Sequence, residues 1–415
     1  MKKTILLLAA LPTVAAGATT DWTDDVKKAL IAYEDDSTFI RKVNFTYREQ
    51  WQMAAVQPNG SNGLHLKDGA SPFNSEFRRS WIGLNVMAET GTQFNVIGRI
   101  GGLPSRSSYS GGRTKRNFTY TDIYSLWVKQ NISAVPGLSL KAGKFAPQFT
   151  TDFRMSNASI PCVERSFVAN QFGLDTNWGV EINYTTPDKA NVVYIEVMAN
   201  DRASASKSLG HDDVYRDGRG LKGEFGWEDK CFMIIGGTHK FDITDDGYQA
   251  VSLEYMHDFN NAYHGRRSPG ANNYGFGFKD ALSLGYELKQ GKLTFRANAV
   301  AAFEQQAGYG SNNVGIQLQP VYSIHPQVDL VFRYNGMTGD GACKLGADRY
   351  ICTQTTAATW VDSLHAFYFG VDLYASAKNK DAAKLMFGAE YVTSRKGGSD
   401  YYNGWEFTTA IRFNF

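Results

Sequence analysis

From Phe39 onward the chain alternates apolar and polar side chains in segments of about ten residues, the length of a tilted strand that crosses a bilayer. Leu293-Thr294-Phe295-Arg296-Ala297-Asn298-Ala299 is one such segment, and residues 282–288 and 385–391 are others. One face of each is apolar or aromatic and the other is Gly or polar, as a strand between two unlike surroundings requires. Alternation alone also describes a soluble sandwich. Two features favour a closed membrane barrel instead. The pattern repeats along the whole chain, and its connections are short at one end and long at the other. The short ones include Glu89-Thr90-Gly91, 185–190, Gln290-Gly291, His325-Pro326-Gln327 and 378–381. The long ones, rich in Gly, Ser, Asn and Asp, are 58–75, 101–118, 149–174, 202–217, 260–279 and 339–362.

The last segment sets Trp405, Phe407, Ile411, Phe413 and Phe415 on one face. In water such an edge strand aggregates. In a barrel it pairs with the first strand and its aromatics meet lipid. The alternation gives about 17 candidate strands, whereas a bacterial barrel of this kind needs an even number. The surplus lies between Gly218 and Phe259, where either 221–227 or 248–259 is not an independent crossing. The expected fold is an all-β, closed, antiparallel transmembrane barrel of about 16 strands over residues 39–415.

The stretch Leu138–Tyr184 breaks the alternation. It opens with the strand 138–142 and closes with the strand 178–184, and between them lie some thirty residues without a clear period. A structureless connection of that length is functional or disordered in most compact domains. This one carries Phe, Arg, Glu and Met, so it is expected to pack, folding back into the lumen as a constriction loop. With apolar faces turned to lipid, the alternate residues turn inward. The inward basic residues are then Arg79, Arg99, Lys141, Lys222, Lys289, Arg296, Arg333, Lys384 and Arg412. The acidic ones are Glu181, Glu196, Glu224, Glu254, Glu287, Asp329, Asp372, Glu390 and Glu406. Arg154 and Arg165 sit on the loop, with Asp152 and Glu164 as candidate partners. A pore selects ions by charge at its narrow point, so Arg79, Arg99, Lys141, Lys144, Arg154, Glu164 and Arg165 form the candidate constriction and anion path. Guanidinium forks suit oxyanions. The other reading of the same charges is structural: pairs across strands and a Glu164-Arg165 pin for the loop.

The same stretch carries a resemblance. Leu140, Gly143, Phe145, Pro147 and Phe149, then Glu164-Arg165-Ser166, then Gly179-Val180, resemble the motif series of the phosphate-selective porins of the O and P type. Phe77-Arg78-Arg79-Ser80-Trp81-Ile82-Gly83-Leu84 resembles an upstream strand of that family. The similarity covers about Phe77–Asn200, and the terminal Phe resembles the outer-membrane insertion signal of porins. The resemblance implies a 16-stranded outer-membrane barrel, a homotrimer and phosphate or anion transport. The strand start Asp175-Thr176-Asn177-Trp178 lacks a basic residue where relatives often carry one.

Composition and address agree with export. Met1-Lys2-Lys3, an apolar run from Ile5 to about Val14 and Ala16-Gly17-Ala18 form a signal peptide over 1–18, too short to span hydrocarbon. Residues 19–38 are a periplasmic arm or short helix, with Val26, Leu30 and Ile31 on one side. Gly (41), Phe (26), Tyr (22) and Trp (8) are abundant, and no apolar run of helical membrane length occurs elsewhere. The net charge of +2 gives no argument for nucleic acid. Cys343 and Cys352 lie in one long polar connection and are a disulfide candidate in an oxidising compartment, while Cys162 and Cys231 stay unassigned. The seven His show no metal spacing, the acidic turns near His211 and Asp242 match no complete calcium loop, and no cofactor is expected. Gly218-Arg219-Gly220-Leu221-Lys222-Gly223 fits a dinucleotide fingerprint in letters, but it follows a polar loop and opens a strand. The partners expected are small hydrophilic or anionic solutes and outer-membrane lipid. Passive diffusion through a porin is the leading function. The alternatives are a barrel-anchored adhesion protein acting through its long loops, and a rim-active enzyme.

Overall fold

The computed structural model describes residues 21–58, 73–101, 119–172, 176–199, 231–259, 278–305, 312–339, 345–346 and 360–415. Sixteen strands form the barrel. They are β1 (Ile40–Pro58), β2 (Phe73–Ala88), β3 (Gln93–Gly101), β4 (Thr119–Asn131), β5 (Leu138–Phe145), β6 (Asn177–Thr185), β7 (Asn191–Ala199) and β8 (Cys231–Thr244). The second half comprises β9 (Gly247–Asp258), β10 (Phe278–Gln290), β11 (Leu293–Gln305), β12 (Asn313–His325), β13 (Val328–Gly339), β14 (Ser363–Tyr374), β15 (Ala383–Lys396) and β16 (Ser399–Asn414). Each pairs antiparallel with the next, and β16 returns to β1, with Gly404 opposite Pro58 and Asn414 opposite Arg48. The backbones of Tyr47 and Phe415 exchange two hydrogen bonds of 2.7 and 2.8 Å at the end of this seam. Closure leaves no unpaired edge to aggregate or to meet hydrocarbon.

The ambiguity between Gly218 and Phe259 resolves in favour of β9, which pairs with both β8 and β10 over its whole length. The rival segment 221–227 lies outside the described residues, as do Lys222, Glu224, the signal peptide, the acidic turn at His211 and the Cys343–Cys352 pair.

The two faces of the wall differ as the alternation demands. On β14, Phe367 and Phe369 point outward with about half of their surface exposed, whereas Tyr368, Gly370 and Asp372 point inward. Outward aromatics meet across strands: Phe332 and Phe369 have ring centroids 4.9 Å apart, and Tyr391 and Trp405 5.2 Å. Cross-strand pairs of this kind contribute roughly 0.2–1 kcal/mol each. No helix among the described residues is long and apolar enough to cross a membrane.

At the short-turn end, α1 (Trp22–Ala29) is capped by the Asp21 carboxylate, which accepts the Thr23 N–H at 3.0 Å. It docks on the turn between β14 and β15. Lys378 pairs with Asp24 at 2.8 Å, and Asn379 donates to Thr23 Oγ1 and Asp24 at 2.9 and 2.7 Å. The chain then forms a short strand, Ile31–Glu34, that covers β1 beyond the C-terminus, with Ile31 opposite Asn44. An arm and a helix were both compatible with the sequence; the structure has the helix, packed.

Candidate functional site

The segment between β5 and β6 folds back inside the barrel, as the loss of alternation predicts. It holds two short helices, α2 (Thr151–Arg154) and α3 (Phe167–Phe172), and its apolar side chains pack with those of the wall. Phe149, Cys162, Val168, Ala169 and Phe172 are fully enclosed. It is a compact plug, not an open loop. Burial of Cys162 pushes its thiol up to about 12, so it stays protonated.

Its start is fixed by Gln148. The Gln148 N–H donates to Glu196 at 3.0 Å, its amide donates to Glu181 at 2.8 Å, and its carbonyl accepts from the Tyr194 hydroxyl at 2.7 Å. Just before it, Gly143 has φ 129°, and a Cβ there would lie 2.2 Å from the Leu126 carbonyl oxygen. Only glycine fits the strand at that spot.

Irregular backbone inside a barrel leaves carbonyls that need donors. Wall side chains supply them. The Ile160 carbonyl accepts from Lys384 Nζ at 3.0 Å and Arg412 Nη1 at 2.9 Å. The Val163 carbonyl accepts from Gln50 at 3.1 Å and Arg412 Nη2 at 3.2 Å, and the Glu164 carbonyl from Arg333 at 2.8 Å. The Thr151 N–H donates to Asn298 at 3.2 Å. At the short-turn end, Ser159 donates to Asp381 at 2.5 Å. On the far side, α3 rests on β12: a Cβ on Gly315 would lie 2.7 Å from the Phe172 ring.

The predicted site residues fall into separate groups. Glu164 joins the wall: it accepts from Arg78 Nε at 2.9 Å and Gln52 at 2.8 Å, with Arg79 Nη2 at 3.7 Å. Arg79 also donates to Gln50 at 2.6 Å. Arg165 closes the plug on itself, donating to the Asp152 carbonyl and to Asn157 Oδ1, with its guanidinium 4.4 Å above the Phe153 ring. Burial acts to raise the Asp152 pKa, but the Arg333 charge, the Ser166 N–H and Gln317 outweigh it and hold that carboxyl below its ordinary value.

Lys141 and Arg154 pair with wall carboxylates, Glu181 at 2.7 Å and Glu254 at 2.7 Å. Lys144 is fully buried, with Nζ on the Ile123 carbonyl at 2.7 Å. These residues are therefore not gathered into one cluster. Arg154 faces Glu254, not the Asp152 named with it from the sequence.

Arg99 belongs to a different arrangement. Its guanidinium lies 4.8 Å over the Tyr124 ring, Tyr124 stacks on Trp81 at 3.9 Å, and Arg48 lies 5.7 Å over Trp81. The row Arg48, Trp81, Arg99 runs in register across β1, β2 and β3 on the inward face. The Arg48 Nε has no hydrogen-bond partner among the described residues. The plug reaches this row through Asn157, which donates to the Tyr124 hydroxyl at 3.2 Å. Arg48 was missed, although the alternation Arg48-x-Gln50-x-Gln52 marks it as inward. The clamping role of Arg333, Lys384 and Arg412 had no signal in the sequence, because it depends on where the plug's carbonyls fall.

No family model matches the chain, and no curated protein sequence matches it. Solved structures do match in fold. The outer membrane channel DcaP of Acinetobacter baumannii is 12% identical, with TM-score 0.53, over 92% of this chain and 99% of its own. Pseudomonas putida OprB is 12% identical, with TM-score 0.57, over 90% and 94%. The anion-selective porin from Comamonas acidovorans is 10% identical, with TM-score 0.52, over 90% and 99%. A closed barrel with an apolar outer belt, short turns at one end and long loops at the other is how bacterial outer-membrane proteins are built, and this chain has the fold of outer-membrane porins.

Proposed function

We propose that this protein is an outer-membrane porin for passive diffusion of small hydrophilic solutes, that it prefers anions with phosphate among them, and that it works as a homotrimer. The observation that carries the preference is the inward stack of Arg48, Trp81, Tyr124 and Arg99 beside the plug. The Arg48 guanidinium lies over the Trp81 ring, and its Nε has no hydrogen-bond partner among the described residues, which suits it to passing oxyanions. The basic residues of the plug differ: they bind carbonyls and carboxylates that stay put. Throughput needs weak, multi-site contact, and two guanidiniums along one wall meet that need. A barrel of like fold, that of Comamonas acidovorans, is an anion-selective porin; here the preference is argued from the stack. The homotrimer and the choice of phosphate rest on the motif resemblance.

The test is the reversal potential in planar bilayers under a KCl gradient, for the wild type and for Arg48→Gln/Arg99→Gln. The expected wild-type reversal favours chloride and moves toward zero in the double variant, and added phosphate lowers the chloride conductance of the wild type only. A wild type that favours potassium, or a reversal that the double substitution leaves unchanged, overturns the preference. A wild type no more conductive than bare bilayer overturns the porin reading itself.

A further inference from the structure

We propose that Glu181 and Glu196 share one proton, that this proton holds the entry of the plug against the wall, and that its loss at alkaline pH loosens the plug and raises conductance.

Among the described residues, three acidic pairs stand opposite each other in register on the inward face. They are Glu181 and Glu196 on β6 and β7, Asp329 and Asp372 on β13 and β14, and Glu390 and Glu406 on β15 and β16. Like charges directly opposite destabilise a sheet, so each pair needs a positive partner or a donor. Two pairs have one nearby. The Tyr374 hydroxyl reaches Asp329 at 2.8 Å and Asp372 at 3.3 Å, and Lys380 lies 2.8 Å from Asp329. Arg333 faces Glu390 at 3.3 Å.

The pair on β6 and β7 is short of a donor. Glu181 accepts from Lys141 at 2.7 Å and from the Gln148 amide at 2.8 Å, both on Oε2. Glu196 is fully enclosed. Its Oε2 accepts the Gln148 N–H at 3.0 Å, and its Oε1 has no hydrogen-bond partner among the described residues. The two carboxyls lie within hydrogen-bond reach of each other. Ionised carboxylates only accept, so two of them in contact are satisfied by a proton between them.

The surrounding charges do not replace that proton. Arg154, on the plug, lies 2.7 Å from Glu254 on β9. On β8, Ile234 stands opposite Glu196 and Gly236 opposite Tyr194. The Tyr194 hydroxyl donates to the Gln148 carbonyl. Lys129, on β4, stands behind Lys141 in the register, two strands and so roughly 10 Å from Glu181. The carboxyls of Glu181, Glu196 and Glu254 thus have Lys141 and Arg154 as adjacent cations, and one proton completes the balance.

Gln148 makes this a matter for the plug, because it donates to both carboxyls at once. With the proton in place the two lie together and Gln148 bridges them. Without it, two enclosed charges repel, and burying an unpaired charge is costly. The carboxyls part or water enters, and the bridge breaks. The hold is present at low pH and lost as pH rises past the value at which the proton leaves for bulk water. The proposal rests on the porin reading for its conductance arm alone.

The experiment records infrared spectra of the purified barrel, and planar-bilayer conductance, from about pH 6 to about pH 10, a range that brackets the titration of enclosed glutamic acids. The wild type is expected to show a protonated-carboxyl C=O band that vanishes with the steepness of a single proton, while conductance rises in step. Glu196→Gln carries an N–H donor in place of the proton, so it loses both that band and the rise. Glu181→Gln breaks the pair from the other side and loses the band as well, which decides the matter if the first variant fails to fold. A wild type without the band at pH 6, a band that both variants keep, or conductance that stays level while the band vanishes overturns the proposal. A bilayer that never conducts, with the infrared result as expected, counts against the porin reading and leaves the shared proton standing.

Discussion

Arg412 shows how a charged side chain serves a barrel whose interior is irregular. It is buried, and its guanidinium spans three carbonyls of the plug and Gln50. Removing it takes a donor from the Cys162 carbonyl and one of two donors from the Ile160 and Val163 carbonyls, which keep Lys384 and Gln50; a carbonyl left unsatisfied costs about 1–3 kcal/mol. Arg412→Ala is therefore expected to loosen the plug without opening the barrel: single-channel conductance rises and becomes noisier, while folded yield falls only modestly. A conductance identical to the wild type would mean that the remaining wall contacts hold the plug without Arg412. Cys162 gives an independent check. It is enclosed and protonated, so a maleimide should modify it more slowly than Cys231, which is partly exposed, until the protein is unfolded. Peptide mass mapping separates the two. Which residues face inward was legible from alternation, and Arg333, Lys384 and Arg412 all do. That they bind carbonyls was not legible, because a donor's partner here lies far away in sequence.

At the scale of elements, β-strands were the easiest to foresee, since one surface meets lipid and the other meets polar groups. The segment 218–259 was ambiguous because alternation alone cannot tell a crossing from an extended loop, and β9 is a crossing because both its neighbours pair with it. The plug announced itself by loss of period, but its path did not, for no repeat marks where it touches the wall. α1 is held by polar contacts and so responds to pH. The hydrogen bond from Lys378, then that from Asn379, holds the Asp24 carboxyl below its ordinary 3.8. Burial pushes Asp21 up, and Ser376 and Thr23 outweigh it, so it too is lowered. A lowered carboxylate contributes docking that is fully present above its unfolded value and lost as pH falls through the folded one. Lys378 is raised above 10.5 by Asp24, so its contribution is present below that value and lost as pH rises past the folded one. Helix α1 is thus expected to stay docked through neutral pH and to release below about pH 4. Hydrogen exchange of residues 22–29 at pH 7 and pH 3 measures this; equal protection at both would rule out carboxylate control.

For the whole molecule, the fold was largely legible and the selectivity was not. A closed wall follows from strand repetition and from an aromatic terminal strand that has to be covered. Ion preference depends on which charges are left over once the plug has taken its partners, and that requires coordinates. Closure itself predicts an all-or-none property. A barrel with every edge paired resists detergent until heated, so the intact chain should migrate differently in SDS before and after boiling. A chain lacking residues 405–415 leaves β1 without its partner and should show one migration only.

That seam has a consequence for how the protein comes into being. The residues that meet there, Tyr47 on β1 and Phe415 after β16, lie far apart in the chain. A polypeptide that stops short of β16 has no closed wall. Every strand has to be kept apart from wrong neighbours until β16 has been made, so handling before insertion, and not the chemistry of any single crossing, decides whether a copy ever becomes a channel.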